Sequence, residues 1–305
     1  MMLPASGTTV AERHHPVRAA LNLLSCVRIR EVLVLQGTPL LGALFSMRHL
    51  TAEGYLTLAL LVAGSTLLVA HVFVLNDWAG IGGDLRDPNR IDDVFTSRGI
   101  QRRAIVCFSL VLLSLGLLLL VMTGSSTLWI AVAIVGLSAL YSFPRVHAKG
   151  IPVLSSVLHL AGGLLHFLLG YSVFSAPDWR GIQIGSFFAL VFVAGHLTHE
   201  TRDRDSDQTN EIRTNAVMFG KIRSFIGGLV LFAAADVLLM TLALYGTVPR
   251  SLAFVVLICP LHVYWSLKAI RGGLTFESIR QLQTRYRALY AAAGLWFAVV
   301  LMLAR

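Results

Sequence analysis

Two stretches concentrate the side chains that could hold a metal ion. LNDWAGIGGDLRDPNRIDDVFTSRG carries Asn76, Asp77, Asp84 and Asp87, and HLTHETRDRDSDQTNEIRTNAVMFG carries Asp203 and Asp207. Segments 77–93 and 200–211 together hold ten of the 16 Asp and Glu residues. Asp203 and Asp207 are four apart, a spacing that puts both on one face of a helix. Two carboxylates on one face repel unless a cation lies between them. Such a layout suits Mg²⁺, which takes one or two carboxylates together with substrate phosphate oxygens. Basic residues follow each cluster: Arg86, Arg90 and Arg98 after the first, Arg213, Lys221 and Arg223 after the second. They could neutralise a phosphate-bearing ligand.

The elements that must position these groups are membrane helices. The chain of 305 residues is 56% hydrophobic and only 13% charged, with a mean hydropathy of +0.73. Soluble domains carry roughly 25% charged residues. The formal net charge of +9 does not point to nucleic acid, because the basic residues lie between apolar runs and form no basic domain. Apolar runs predict nine transmembrane helices, at 31–47, 55–76, 104–122, 127–143, 152–174, 182–199, 224–246, 250–270 and 288–304, an all-α polytopic bundle. The first run is interrupted by Gly37 and Pro39. With the N-terminus in the cytoplasm, cytoplasmic segments hold 21 of the 25 Lys and Arg, so the positive-inside rule predicts N-in and C-out. Residues 1–30 read as a cytoplasmic tail without the marks of a signal peptide. Cys26, Cys107 and Cys259 have no metal-ligand spacing and read as buried free thiols.

Each acidic cluster follows an even-numbered span, and four spans separate them. This predicts two pseudo-repeated halves around a central cavity, within a single domain over 1–305. At this point the residues resemble the two signature motifs of the UbiA superfamily of intramembrane prenyltransferases. Asn76, Asp77 and Asp84 match the first motif; Arg202, Asp203, Asp207 and Thr214 match the second. AVMFG (216–220) is similar to the family's segment after the second motif, and LYSFPRVHAKG (140–150) to its segment after the fourth span. Gly80 stands where the first motif has its middle aspartate, and Glu211 where the second has a glycine.

The resemblance implies transfer of an isoprenyl group from an isoprenyl diphosphate to a hydrophobic or aromatic acceptor, assisted by Mg²⁺. By matching position, Asn76, Asp77, Asp84, Asp87, Asp203 and Asp207 are the expected metal ligands, with Asp84, Asp203 and Asp207 central to catalysis. Arg90, Arg98, Tyr141, Lys149 and Arg202 are the expected diphosphate contacts. The expected setting is a prokaryotic inner membrane, with lipid against the helices and the site on the cytoplasmic side. Two other functions stay open: a terpene cyclase acting on the same kind of diphosphate, and a transporter or degenerate lipid-binding protein.

Four histidines are candidates for the acceptor side. His159 and His166 share a face of the fifth span, and either line a cavity or hydrogen-bond a neighbouring helix. His196 and His199 precede the second motif and either contact the acceptor, act as a base, or sit at the interface. Asp236, in the middle of the seventh span, is either functional or a hydrogen-bonded acid. The basic link 268–287 reads as an interfacial helix against anionic lipid, or as a lid.

Overall fold

The computed structural model describes residues 23–24, 26–49, 51–86, 91, 94–143 and 145–303. Every regular element among them is helical. The helices are α1 (Ile29–Leu35), α2 (Gly37–Ser46), α3 (Ala52–Asp84), α4 (Arg102–Val121), α5 (Ser125–Ser142), α6 (Leu154–Tyr171), α7 (Trp179–Thr209), α8 (Asn215–Phe219), α9 (Lys221–Leu244), α10 (Ile258–Arg271) and α11 (Phe276–Leu303). A 3₁₀ segment, Arg250–Leu257, leads into α10. Eight helices among the described residues are long and apolar enough to cross a membrane, counting Arg250–Arg271 as one.

Nine spans are expected from hydropathy; the difference lies at the first. Segment 31–47 forms α1 and α2, which meet at Gln36. At 1.5 Å per residue neither is long enough to cross a bilayer alone. Pro39 falls in the first turn of α2, where its missing N–H is not needed for the helix ladder. The longest helices start with side-chain caps. Thr51 accepts from the Gly54 N–H at 3.0 Å at the start of α3, and Asp178 accepts from the Gly181 N–H at 2.7 Å at the start of α7. Each cap satisfies a donor that the helix leaves unpaired.

Helix α3 packs on α4 and α5, α6 on α2 and α7, and α9 on α7, with α11 against α2, α7 and α10. The α2–α6 crossing is a backbone contact. A Cβ on Gly170 would stand 1.7 Å from the Pro39 carbonyl oxygen, and one on Gly42 2.2 Å from that of Phe167. Small residues of this kind let membrane helices approach closely and gain dispersion contacts along both backbones. The largest buried cluster surrounds this crossing, with Phe45, Phe167, Tyr171, Phe187, Leu239 and Phe297.

Three helices run beyond the limits expected for their spans into polar sequence. Helix α3 continues past the apolar run through Asn76 and Asp77 to Asp84. Helix α7 continues through Asp203 and Asp207 to Thr209. Of the basic link 268–287, read as an interfacial helix or a lid, residues 268–271 end α10 and Phe276 onward is one helix with the final span. Of the three thiols expected to be buried, Cys26 is, Cys259 is half-buried and Cys107 is exposed on α4, which presents it outward from the bundle. Hydropathy marks where a chain leaves lipid, not where its helix stops.

Candidate active site

The ends of α3 and α7 converge. Asn210, the residue after α7, donates through Nδ2 to the Gly83 carbonyl near the end of α3 at 3.4 Å. Between them lies a cavity of about 210 Å³, bordered by Asn76, Gly80, Asp84 and Arg86 from the first cluster and Ser206, Asp207 and Asn210 from the second. Tyr141, Ser142, His147 and Lys149, from the end of α5 and the segment after it, complete the wall. Pockets for drug-sized ligands run to about 300–1,000 Å³, so this one suits a head group and not a long hydrocarbon tail.

Each lining residue arrives by a local rule. On α3, Asn76, Gly80, Gly83 and Asp84 recur at intervals of three and four, one helical face. Ser142 Oγ lies 3.5 Å from Asn76 Oδ1, so α5 orients the amide. On α7, Ser206, Asp207 and Asn210 follow the same periodicity, and Asp207 is 7% exposed. His147 adopts φ 45°, left-handed backbone that a non-glycine residue takes only when its surroundings demand it. Its imidazole is held below the usual histidine range by burial and then by Lys149. His147 thus faces the cavity beside a lysine.

The cavity brings together Asn76, Asp84, Tyr141, Lys149 and Asp207 from the residues expected to act. Asp203, expected beside Asp207, is not among the wall residues. Its carboxylate receives both Nε and Nη2 of Arg202, at 2.6 and 2.9 Å, while Arg202 Nη1 donates to Gln283 on α11 at 2.8 Å. Asp77 is likewise turned away, taking two hydrogen bonds from Arg28 at 2.5 and 2.9 Å. Asp87, Arg90 and the side chain of Arg98 lie outside the described residues. Arg86, read from sequence as a basic residue that could neutralise phosphate, is a wall residue; Ser142, His147, Ser206 and Asn210 are wall residues not singled out from sequence. Extending the i, i+3, i+4 face of Asp203 and Asp207 by one turn reaches Ser206 and Asn210; no local signal marks Ser142 or His147.

The four histidines separate. His159 and His196 stack at 3.6 Å with planes 9° apart, and Tyr141 meets His159 edge-on at 4.9 Å. His199 accepts from Arg287 on α11 at 3.0 Å. His166 is buried apart, its Nε2 without a partner among the described residues. Asp236 accepts from the Tyr290 hydroxyl at 3.1 Å, tying α9 to α11. Glu200, not singled out from sequence, is 5% exposed and pairs with His196 at 3.0 Å.

Among the described residues, no three His, Cys, Asp or Glu side chains form a ready-made metal cluster. The wall nevertheless fits Mg²⁺: it offers the hard oxygens of Asn76, Asp84 and Asp207, and Mg²⁺ usually takes only one or two protein carboxylates and keeps the rest for phosphate and water. A Cβ on Gly80 would lie 3.1 Å from Asp84 Oδ2, so the position with no side chain is beside a candidate ligand.

The family model for the UbiA prenyltransferase family matches residues 37–273. Among curated proteins, a 4-hydroxybenzoate octaprenyltransferase of Pectobacterium carotovorum is 26% identical over 193 residues, covering 60% of this chain and 63% of that protein. Another, of Serratia proteamaculans, is 28% identical over 241 residues, covering 75% of this chain and 74% of that protein. The chain thus spans under two thirds of the first of these relatives. Among solved structures, a UbiA homologue from Archaeoglobus fulgidus bound to GPP and Mg²⁺ has a TM-score of 0.67 at 17% identity, covering 91% of this chain and 99% of that one. The apo UbiA homologue from Aeropyrum pernix gives 0.68 at 15% identity, covering 88% of this chain and 98% of that one. At these identities the shared property is the fold.

Proposed function

We propose, for a chain that belongs to the UbiA prenyltransferase family, the transfer of an isoprenyl group from an isoprenyl diphosphate to an acceptor, in a membrane and with Mg²⁺. The observation that carries this reading is the cavity walled by both acidic clusters and by Lys149. The relatives named as 4-hydroxybenzoate octaprenyltransferases support an aromatic acceptor. We place the whole chain in one domain, with N-in topology and α1 and α2 together making the first crossing, which puts the ends of α3 and α7 on the cytoplasmic side of a prokaryotic inner membrane, a topology supported by the distribution of Lys and Arg.

In this reading Asn76, Asp84 and Asp207 would hold Mg²⁺, which when bound supplies positive charge against the diphosphate oxygens. Lys149 and Arg86 add cationic donors to the same group. Tyr141 closes the wall between the head-group cavity and the stacked histidines. Preformed charge of this kind favours departure of diphosphate, because negative charge grows on the leaving oxygen as the allylic C–O bond breaks. The narrow cavity leaves the isoprenoid tail to lie between helices.

The test is diphosphate release from allylic diphosphates of graded chain length by the purified protein. Release that requires Mg²⁺ and stops with EDTA, with prenylated product formed only when an aromatic acceptor is added, supports the reading. A cyclic hydrocarbon formed without acceptor would make it a cyclase instead, and no release from any donor would sink both. Gly80→Asp supplies a second check. A carboxylate there stands one turn from Asp84, so the Mg²⁺ concentration for half-maximal release should fall several-fold. Without metal the like-charged i, i+4 pair should cost the helix about 0.2–0.5 kcal/mol. An unchanged Mg²⁺ titration would place the metal away from this face of α3.

A further inference from the structure

Tyr141, a wall residue of the head-group cavity, also meets His159 and His196 edge-on, and there α6, α7 and α8 form a polar cluster that diphosphate binding does not use. Four donors converge on the Glu200 carboxylate. Ser155 Oγ donates to Oε1 at 3.1 Å, and His196 Nε2 lies 3.0 Å from the same oxygen. The Asn215 backbone N–H and side-chain amide donate to Oε2 at 3.0 and 2.8 Å. This set fits an ionised, acceptor-only carboxylate, which leaves the proton of the shared bond on His196 Nε2.

The second ring is oriented just as tightly. His159 Nδ1 lies 2.8 Å from the Ser155 carbonyl oxygen. A carbonyl can only accept, so Nδ1 carries the hydrogen and Nε2 keeps a lone pair. No partner for that lone pair is found among the described residues. Asn215 also holds the stretch of chain that delivers α6: its Oδ1 accepts from the Val153 N–H at 2.7 Å, where Val153 adopts φ 66°. A β-branched residue in that region is strained and persists only where its surroundings over-determine it. The chain thus maintains an unusual turn and a buried carboxylate at one place, and both orient the histidine pair.

We propose that His159 is the base that removes the ring proton from a hydroxylated aromatic acceptor, with His196 and Glu200 as its positioning residues. The inference rests on the prenyl transfer proposed above. The step balances within the site. The allylic C–O bond breaks and its electron pair leaves with diphosphate. The π electrons of the acceptor ring form the new C–C bond. The C–H bond at that carbon then gives its proton to His159 Nε2 and its electron pair back to the ring. The imidazolium so formed stacks on His196, whose Nε2 shares a hydrogen bond with the Glu200 carboxylate, and it later passes the proton to water. The unused lone pair also provides an acceptor for the phenolic hydroxyl before reaction.

The experiment uses the full chain in detergent micelles with geranyl diphosphate and a panel of phenols and hydroquinones, each also prepared with deuterium at the ring carbons. His159→Ala should lower the ratio of prenylated product to prenyl alcohol about 10²–10⁴-fold, the usual range for loss of a general base. Proton loss should become slow, so a primary deuterium isotope effect should appear that the wild type lacks, and added imidazole should restore part of the transfer. Glu200→Gln should shift the ratio in the same direction. Wild-type transfer in His159→Ala, or a slowed variant with no isotope effect, would overturn the proposal, the latter by showing a purely structural role. So would a wild type that ionises the donor but prenylates none of the panel. No diphosphate release at all would instead overturn the proposed function, and this inference with it.

Discussion

Asp207→Ala is expected to lower Mg²⁺-dependent diphosphate release by about 10²–10³-fold, the loss seen when one group stabilising developing negative charge is removed from a water-poor site. Asp207 is the carboxylate that the second cluster contributes to the cavity wall, and it is nearly excluded from solvent. Its neighbours on α7 cannot replace its oxygen: Ser206 and Asn210 are neutral, and Asp203 is held by Arg202. Asp203→Ala should also slow release, but through Arg202, which would lose its bidentate partner while keeping Gln283. The two variants should therefore differ in a Mg²⁺ titration. Asp207→Ala should move the midpoint to higher metal concentration, and Asp203→Ala should lower the plateau with a smaller change in midpoint. A release rate within tenfold of wild type in Asp207→Ala would remove that residue from the metal site, since a ligand in that position is worth more than a factor of ten.

Gly170→Ala should unfold the bundle at its centre. The added methyl would fall 1.7 Å from the Pro39 carbonyl oxygen and 2.5 Å from its carbon, and backbone cannot rotate away as a side chain can. Overpacking a tight core costs about 1–3 kcal/mol when side chains yield; here α2 and α6 must separate along their whole crossing, so the cost should reach or exceed the upper end. The expected result is a markedly lower melting temperature in detergent, or no folded protein extracted. Gly136→Ala provides the contrast. Its Cβ meets nothing within 4 Å, and alanine is the better helix former by about 1 kcal/mol, so that variant should be as stable as wild type or slightly more. Equal melting temperatures for the two variants would show that the α2–α6 contact does not hold the bundle together.

Eight of the nine expected spans have a counterpart among the helices long and apolar enough to cross a membrane. The exception, 31–47, contains Gly37 and Pro39 near the junction of α1 and α2. The interruption visible in the sequence is where the helix divides, at Gln36. The expected span limits stop short on α3, α7 and α11 because these helices persist beyond their hydrophobic runs. Asn76, Asp84 and Asp207, which line the cavity, lie where motif spacing and helical periodicity agree. Glu200 was hidden because a lone glutamate between His199 and Thr201 in a charge-rich segment looks like any solvated carboxylate. Its meaning depends on Ser155 and Asn215, which are distant in sequence.

Hydrophobic run length and the order of two acidic motifs were sufficient for an all-helical membrane chain of the UbiA family. Both are local properties: a span must match the thickness of the bilayer, and side chains three or four apart must share a helix face. Folding in three dimensions alone assigned Asp207 to the cavity and Asp203 to Arg202, and closed Glu200 over the histidine pair. Such choices follow from where α5, α6 and α11 lie against α7, and a crossing between helices is set by contacts between residues far apart along the chain.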